Sequence, residues 1–96
     1  MAKQLRIVSG RDSGRLFHLP ERKPFLIGRD MGTHTRLTDP EVSMLHCQLI
    51  VDANRVVLTD RCSTGGTFVG GQRVSKHELH PGDVFRVGDT RMRYEG

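Results

Sequence analysis

The 96-residue chain has no tryptophan, one tyrosine and four phenylalanines, so its core has to be aliphatic. Cysteine is scarce too. Cys47 and Cys62 form neither a CxxC pair nor the dense framework of a small secreted scaffold, and reduced thiols follow. No run approaches the roughly 18 apolar residues of a membrane-spanning helix, and Met1-Ala2-Lys3-Gln4 lacks the apolar stretch of a secretory leader. The expectation is one soluble, cytoplasmic domain over residues 1–96, with its core between about 4 and 95. No window of ten or more residues carries a capped 3.6-residue period, which argues against helices. Paired carboxylates, metal-ligand spacings and a nucleophile–base arrangement are missing as well, so no enzyme, metal or cofactor is expected. His46 and Cys47, adjacent on a strand-like run, would leave opposite faces and could not converge on one ion.

What is present is a series of short apolar runs punctuated by Gly, Asp, Pro and Asn. Leu5 to Ser9 places Leu5 and Ile7 on one face, and Leu16 to Leu19 returns after a glycine turn. Phe25-Leu26-Ile27 ends at Gly28-Arg29. An irregular stretch follows from Asp30 to about Leu45, with Arg36-Leu37 as a very short strand; so long a loop inside a small domain implies function. His46 to Val51 alternates, with Cys47, Leu49 and Val51 inward, and turns at Asp52-Ala53-Asn54 into Arg55 to Thr59. Thr67-Phe68-Val69 and Gln72-Arg73-Val74 flank Gly70-Gly71, a two-residue connection suited to positive φ angles. Val84 to Val87 and Thr90 to Tyr94 close the chain. Such a pattern reads as an all-β, antiparallel β-sandwich.

Sandwich loops gather at two ends, and three here are polar and irregular: at Gly28-Arg29, at Val42 to His46, and from Asp60 to Thr67. They bring an oxyanion-binding inventory. Arg29 offers a planar donor fork, Ser43 and Thr64 offer hydroxyls, and the Thr64-Gly65-Gly66 turn can present backbone N–H groups. Each is ordinary alone; together they carry the reading. The formal charge of +4 is compatible with an acidic or phosphorylated partner without choosing one, and most basic residues other than Arg29 read as solvated strand faces.

The order Gly28-Arg29, Ser43-x-x-His46, Asp60-x-x-Ser63-Thr64-x-Gly66-Thr67-x-Val69-x-Gly71 and Pro81-Gly82-Asp83 resembles a forkhead-associated (FHA) domain from about Leu5 to Tyr94. The resemblance implies an FHA/SMAD-like sandwich of about eleven short strands with recognition loops at one end. Its implied activity is binding phosphothreonine peptides in Ser/Thr kinase signalling. It further implies that Arg29, Ser43 and Thr64 bind phosphate, that Met44, Ser63 and Gly65 contact the peptide, and that Gly28, His46, Gly66 and Thr67 support the site. The implied partner is a phosphothreonine protein made by an upstream Ser/Thr kinase, with no nucleic acid, no membrane and a monomeric state.

Two positions depart from the family. Gly65 stands where many members carry an Asn that grips the peptide main chain, and Met44 where Arg or Asn is frequent. Losing such bonds costs about 0.5–1.5 kcal/mol each, roughly tenfold in affinity. One alternative is therefore a phosphate-independent interaction or self-association module of the same fold. Another, a nucleic-acid-binding β-domain, would need aromatic platforms that the few aromatics, mostly in core-like positions, supply poorly.

Overall fold

Alternating apolar and polar residues build this chain, and the computed structural model, which describes residues 3–96, arranges them in ten strands. In order these are β1 (Gln4–Ser9), β2 (Leu16–His18), β3 (Phe25–Ile27), β4 (Cys47–Asp52), β5 (Arg55–Asp60), β6 (Thr67–Val69), β7 (Gln72–Val74), β8 (Lys76–Leu79), β9 (Val84–Val87) and β10 (Thr90–Glu95). All strand pairings are antiparallel. A six-stranded sheet runs β2-β1-β10-β9-β6-β7 and a four-stranded sheet runs β3-β4-β5-β8. The two pack face to face as a sandwich, with no helix among the described residues.

Strand alternation decides what fills the space between the sheets. Leu5 and Ile7 of β1, Cys47, Leu49 and Val51 of β4, and Met92 and Tyr94 of β10 are buried, as their period-two spacing requires. Phe25, Phe85 and Tyr94 are buried among them, so the core is mixed rather than purely aliphatic; fully burying one such apolar side chain contributes about 1.5–3 kcal/mol, which holds the domain without tryptophan. The Gly70-Gly71 turn has φ of +57° and +79°, the left-handed pair that matches the strand twist of a two-residue hairpin.

Two differences from the sequence expectation have physical causes. Lys76–Leu79 forms an edge strand on β5, although only Leu79 of its four residues is apolar and buried. Arg36-Leu37 is not a strand: Arg36 has φ +45°, and Leu37 is a buried plug whose N–H donates to Gly28 C=O at 2.8 Å. The described residues form ten strands, in keeping with the sandwich of about eleven short strands that the resemblance implies.

The recognition end is set by register. Val87 pairs with both Thr67 and Thr90, which puts the β9–β10 turn beside the 61–66 loop and the 28–46 stretch. Gln4 pairs with Glu95 at the far end of the same sheet.

Candidate functional site

At the recognition end, β3 runs into Gly28, β4 starts after His46 and β5 leads into the 61–66 loop. The approach of the first two segments is close: Arg29 N–H donates to Ser43 C=O at 3.2 Å, and Asp30 N–H to Met44 C=O at 3.0 Å. Gly28 makes this possible. A Cβ there would lie 2.1 Å from the Met44 carbonyl oxygen, far inside contact distance. Behind it, Thr35 Oγ1 accepts from Gly28 N–H and donates to Gly28 C=O, both at 3.0 Å.

His46 is completely buried at the junction of all three loops. Its Nδ1 accepts the Ser43 N–H at 3.0 Å, so the ring proton sits on Nε2 and is donated to Gly66 C=O at 2.8 Å. One imidazole therefore joins the Ser43 loop to the Gly66 loop. Burial disfavours the imidazolium and lowers the pKa of His46, outweighing the Gly66 carbonyl and the Asp60 and Asp39 charges.

The 61–66 loop is tied down from within by Asp60. Its Oδ1 accepts the hydroxyls of Ser63 (2.5 Å) and Thr67 (2.8 Å), and its Oδ2 accepts Ser63 N–H at 3.1 Å. Burial works against the carboxylate, yet these donors win and its pKa is lowered. Ser63 differs from expectation here. It is buried, donating to Asp60 and accepting from Gly66 N–H at 3.0 Å, so its hydroxyl braces the loop and does not face the peptide side.

What faces outward is a shallow depression of about 310 Å³, lined by Arg29, Pro40, Glu41, Ser43, Thr64 and Gly65 among others. The exposed Arg29 side chain is steered by a hydrogen bond from Nε to Val42 C=O, and among the described residues no carboxylate pairs with it. Ser43 Oγ accepts the Thr64 N–H at 3.1 Å, which leaves the Ser43 O–H free to donate. Thr64 itself is exposed on the opposite wall. Arg29, Ser43 and Thr64, chosen from three separate loops, are thus brought to one hollow. Gly65 lines it, with room for a Cβ at ordinary contact, 3.8 Å, from the Glu41 carbonyl oxygen, while Met44 is half-exposed beside it. A larger hollow of about 410 Å³ lies on the outer face of the four-stranded sheet between Gln48, Ile50, Asp52, Arg55, Val57, Thr59 and Lys76; it includes the Asp52 carboxylate, and its Arg55 is engaged by Glu78 at 3.4 Å.

Sequence reasoning passed over three residues. Glu41 adds a negative charge to the rim. Thr35 and the buried Asp39 hold the long loop in place, Asp39 accepting Thr90 Oγ1–H and Asp89 N–H, each at 2.8 Å, and Glu41 N–H at 2.9 Å. Burial opposes ionisation of Asp39, and these donors overcome it, lowering its pKa.

The geometry has counterparts. Residues 6–95 match the family described as "Inner membrane component of T3SS, cytoplasmic domain", and the chain belongs to it by that match. A structure from a study of phosphothreonine-dependent FHA domain interactions superposes with a TM-score of 0.91 at 31% identity, covering 100% of this chain and 97% of the other. The chain is an FHA domain. The FHA domain of FhaA, solved in complex with the intracellular domain of Rv3910, superposes with a TM-score of 0.88 at 32% identity, covering 97% of this chain and 99% of that one. In sequence, this FHA domain is 36% identical over 80 residues to the FHA domain-containing protein FhaA of Mycobacterium tuberculosis. That match takes in 83% of this chain and 15% of FhaA, so the chain spans a small part of that protein's length. Among the described residues, no helix is long and apolar enough to cross a membrane.

Proposed function

We propose that this FHA domain binds phosphothreonine peptides through the depression between Arg29, Ser43 and Thr64, acting as an adaptor downstream of a Ser/Thr kinase and catalysing nothing itself. The observation that carries this reading is the convergence of an exposed guanidinium, ion-paired to no carboxylate among the described residues, and two hydroxyl residues on one hollow that Glu41 also lines. A phosphoryl group of about −1.5 to −2 charges would take charge-assisted bonds from Arg29 Nη and the Ser43 hydroxyl, the strong class of hydrogen bond. Thr64 would donate from the facing wall. His46, Gly28, Gly66 and Thr67 would support the site by fixing loop positions; with His46 neutral and wholly buried, direct contact with ligand is not its part. Two solved relatives support the reading, the one studied for phosphothreonine-dependent interactions and the FhaA domain bound to an intracellular protein domain.

The second reading, phosphate-independent binding, is favoured by Gly65 and by the half-exposed Met44. Fluorescence polarisation with matched phosphothreonine, phosphoserine and unmodified peptides separates the two. The first reading expects a preference for phosphothreonine of about 100-fold that Arg29→Ala and Ser43→Ala each reduce by roughly tenfold or more, in line with the loss of a charge-assisted bond. Equal affinity for modified and unmodified peptides would favour the second.

A further inference from the structure

The outer face of the six-stranded sheet is dominated by positive charge. Its outward positions include Arg6, Arg73, Arg86, Arg91 and Arg93 against the single carboxylate Glu95, a surplus equal to the whole chain's formal +4. Glu95 is engaged by Arg6 at 3.0 Å and Arg93 at 2.6 Å. Arg73, Arg86 and Arg91 have no carboxylate partner among the described residues.

Those three form a line. Register pairs Arg73 with Phe68, Phe68 with Arg86, and Arg86 with Arg91, so the row crosses four adjacent strands over about 14 Å at the usual strand spacing of roughly 4.8 Å. It lies one residue below the recognition end, because Thr67 and Val87 are the next residues up. Arg86 stacks 4.4 Å from the centre of the Phe68 ring and donates to Gly88 C=O at 2.7 Å, so its head is aimed at that end. Arg73 reaches the candidate pocket loop directly: a Cβ on Gly66 would meet its Nε at 2.8 Å. A shallow hollow of about 240 Å³ between Phe68, Gly70, Val84, Arg86 and Arg91 continues the path.

We propose that this arginine row is a second recognition surface, docking an acidic segment carried on the same polypeptide as the phosphothreonine. Continuity with the pocket through Gly66 and Arg73, together with unpaired charge of one sign, selects that occupant. An extended chain advances about 3.3 Å per residue, so four acidic residues match the row. A bivalent partner of this kind would gain affinity from the second contact because the first has already localised it. The inference rests on the phosphothreonine reading for the first contact, and the test keeps the two apart.

Phosphothreonine peptides with an N-terminal or C-terminal tetra-glutamate flank are compared with tetra-serine controls by fluorescence polarisation, alongside their unphosphorylated forms. Wild-type protein should bind one acidic-flank peptide about tenfold tighter than its control near 50 mM salt, and this gain should shrink at about 500 mM salt because exposed charges are screened. Arg73→Gln/Arg86→Gln/Arg91→Gln should erase the gain while the tetra-serine peptide keeps its phosphate preference, with the melting temperature lowered slightly by loss of the Arg86 contacts to Phe68 and Gly88. Arg29→Ala should instead remove the phosphate preference. No gain from either flank, or a gain that the triple variant retains, overturns the surface while leaving the pocket reading standing. Tetra-glutamate binding that ignores phosphorylation but depends on the three arginines supports the surface and overturns the pocket. Tighter arginine-dependent binding of oligo(dT) or of phosphatidylserine vesicles than of the acidic peptide overturns the proposal in favour of nucleic acid or membrane.

Discussion

Replacing His46 by Ala tests whether one buried imidazole holds the recognition end together. The substitution strands the Ser43 N–H and the Gly66 C=O, which His46 satisfies at 3.0 and 2.8 Å. A buried group left unpaired costs about 1–3 kcal/mol, and the emptied imidazole volume adds a cavity term that water entry partly offsets. The expected loss is about 3–5 kcal/mol, a large share of the 5–15 kcal/mol typical of a domain. Urea denaturation at equilibrium reads it as a lower midpoint with an unchanged slope. The pH dependence supplies an independent check. The pKa of folded His46 lies below its ordinary value of 6.5, so between the two the unfolded chain binds more protons than the native one. Stability is therefore full above about pH 6.5 and declines as pH falls, by at most about 1.4 kcal/mol per unit, until the native imidazole also protonates. This component should be missing in the variant. A loss below about 1 kcal/mol, or identical pH profiles for the two proteins between pH 5 and 7, would refute the brace.

Gly28→Ala should be comparably severe for a different reason, since its added methyl meets the Met44 carbonyl at 2.1 Å and backbone must move; a melting curve should register roughly 3 kcal/mol or more. Gly65→Asn should be tolerated, because the nearest atom to a Cβ there is Glu41 O at 3.8 Å. Titration with a phosphothreonine peptide should show affinity up to about tenfold higher, as the amide regains main-chain bonds, and no change would mean the peptide does not pass over Gly65. Ellman's reagent should label exposed Cys62 quickly in the native protein, and buried Cys47, whose thiol pKa is raised by burial, only after unfolding. Rapid native labelling of both thiols would contradict the packing of β4.

Much of the fold was legible because period-two alternation is a direct print of burial. Leu5 and Ile7, Cys47 to Val51, and Met92 and Tyr94 announced their faces, and Gly70-Gly71 its turn. β8 was hidden since Lys76, His77 and Glu78 give an edge strand no apolar rhythm. The order within residues 30–45 was hidden too. It depends on Thr35 bonded back to Gly28 and on Asp39 clasping Thr90 from 51 positions away, partnerships that no local pattern encodes. At the candidate site, Arg29, Ser43 and Thr64, proposed from residue type and order, line one hollow. Ser63 could not be separated from Thr64 in the same way: both are hydroxyl residues in one loop, and only the inward carboxylate of Asp60 decides which of them is turned away from solvent.

The pairing of Gln4 with Glu95 has a consequence for architecture. Both ends of the sandwich leave from neighbouring strands at the pole opposite Arg29, so polypeptide joined at either end starts out behind the domain with the pocket unobstructed. An insertion of the whole unit between two residues of another protein would separate the cut ends by about one strand spacing, roughly 5 Å, and the host chain could close around it almost undisturbed.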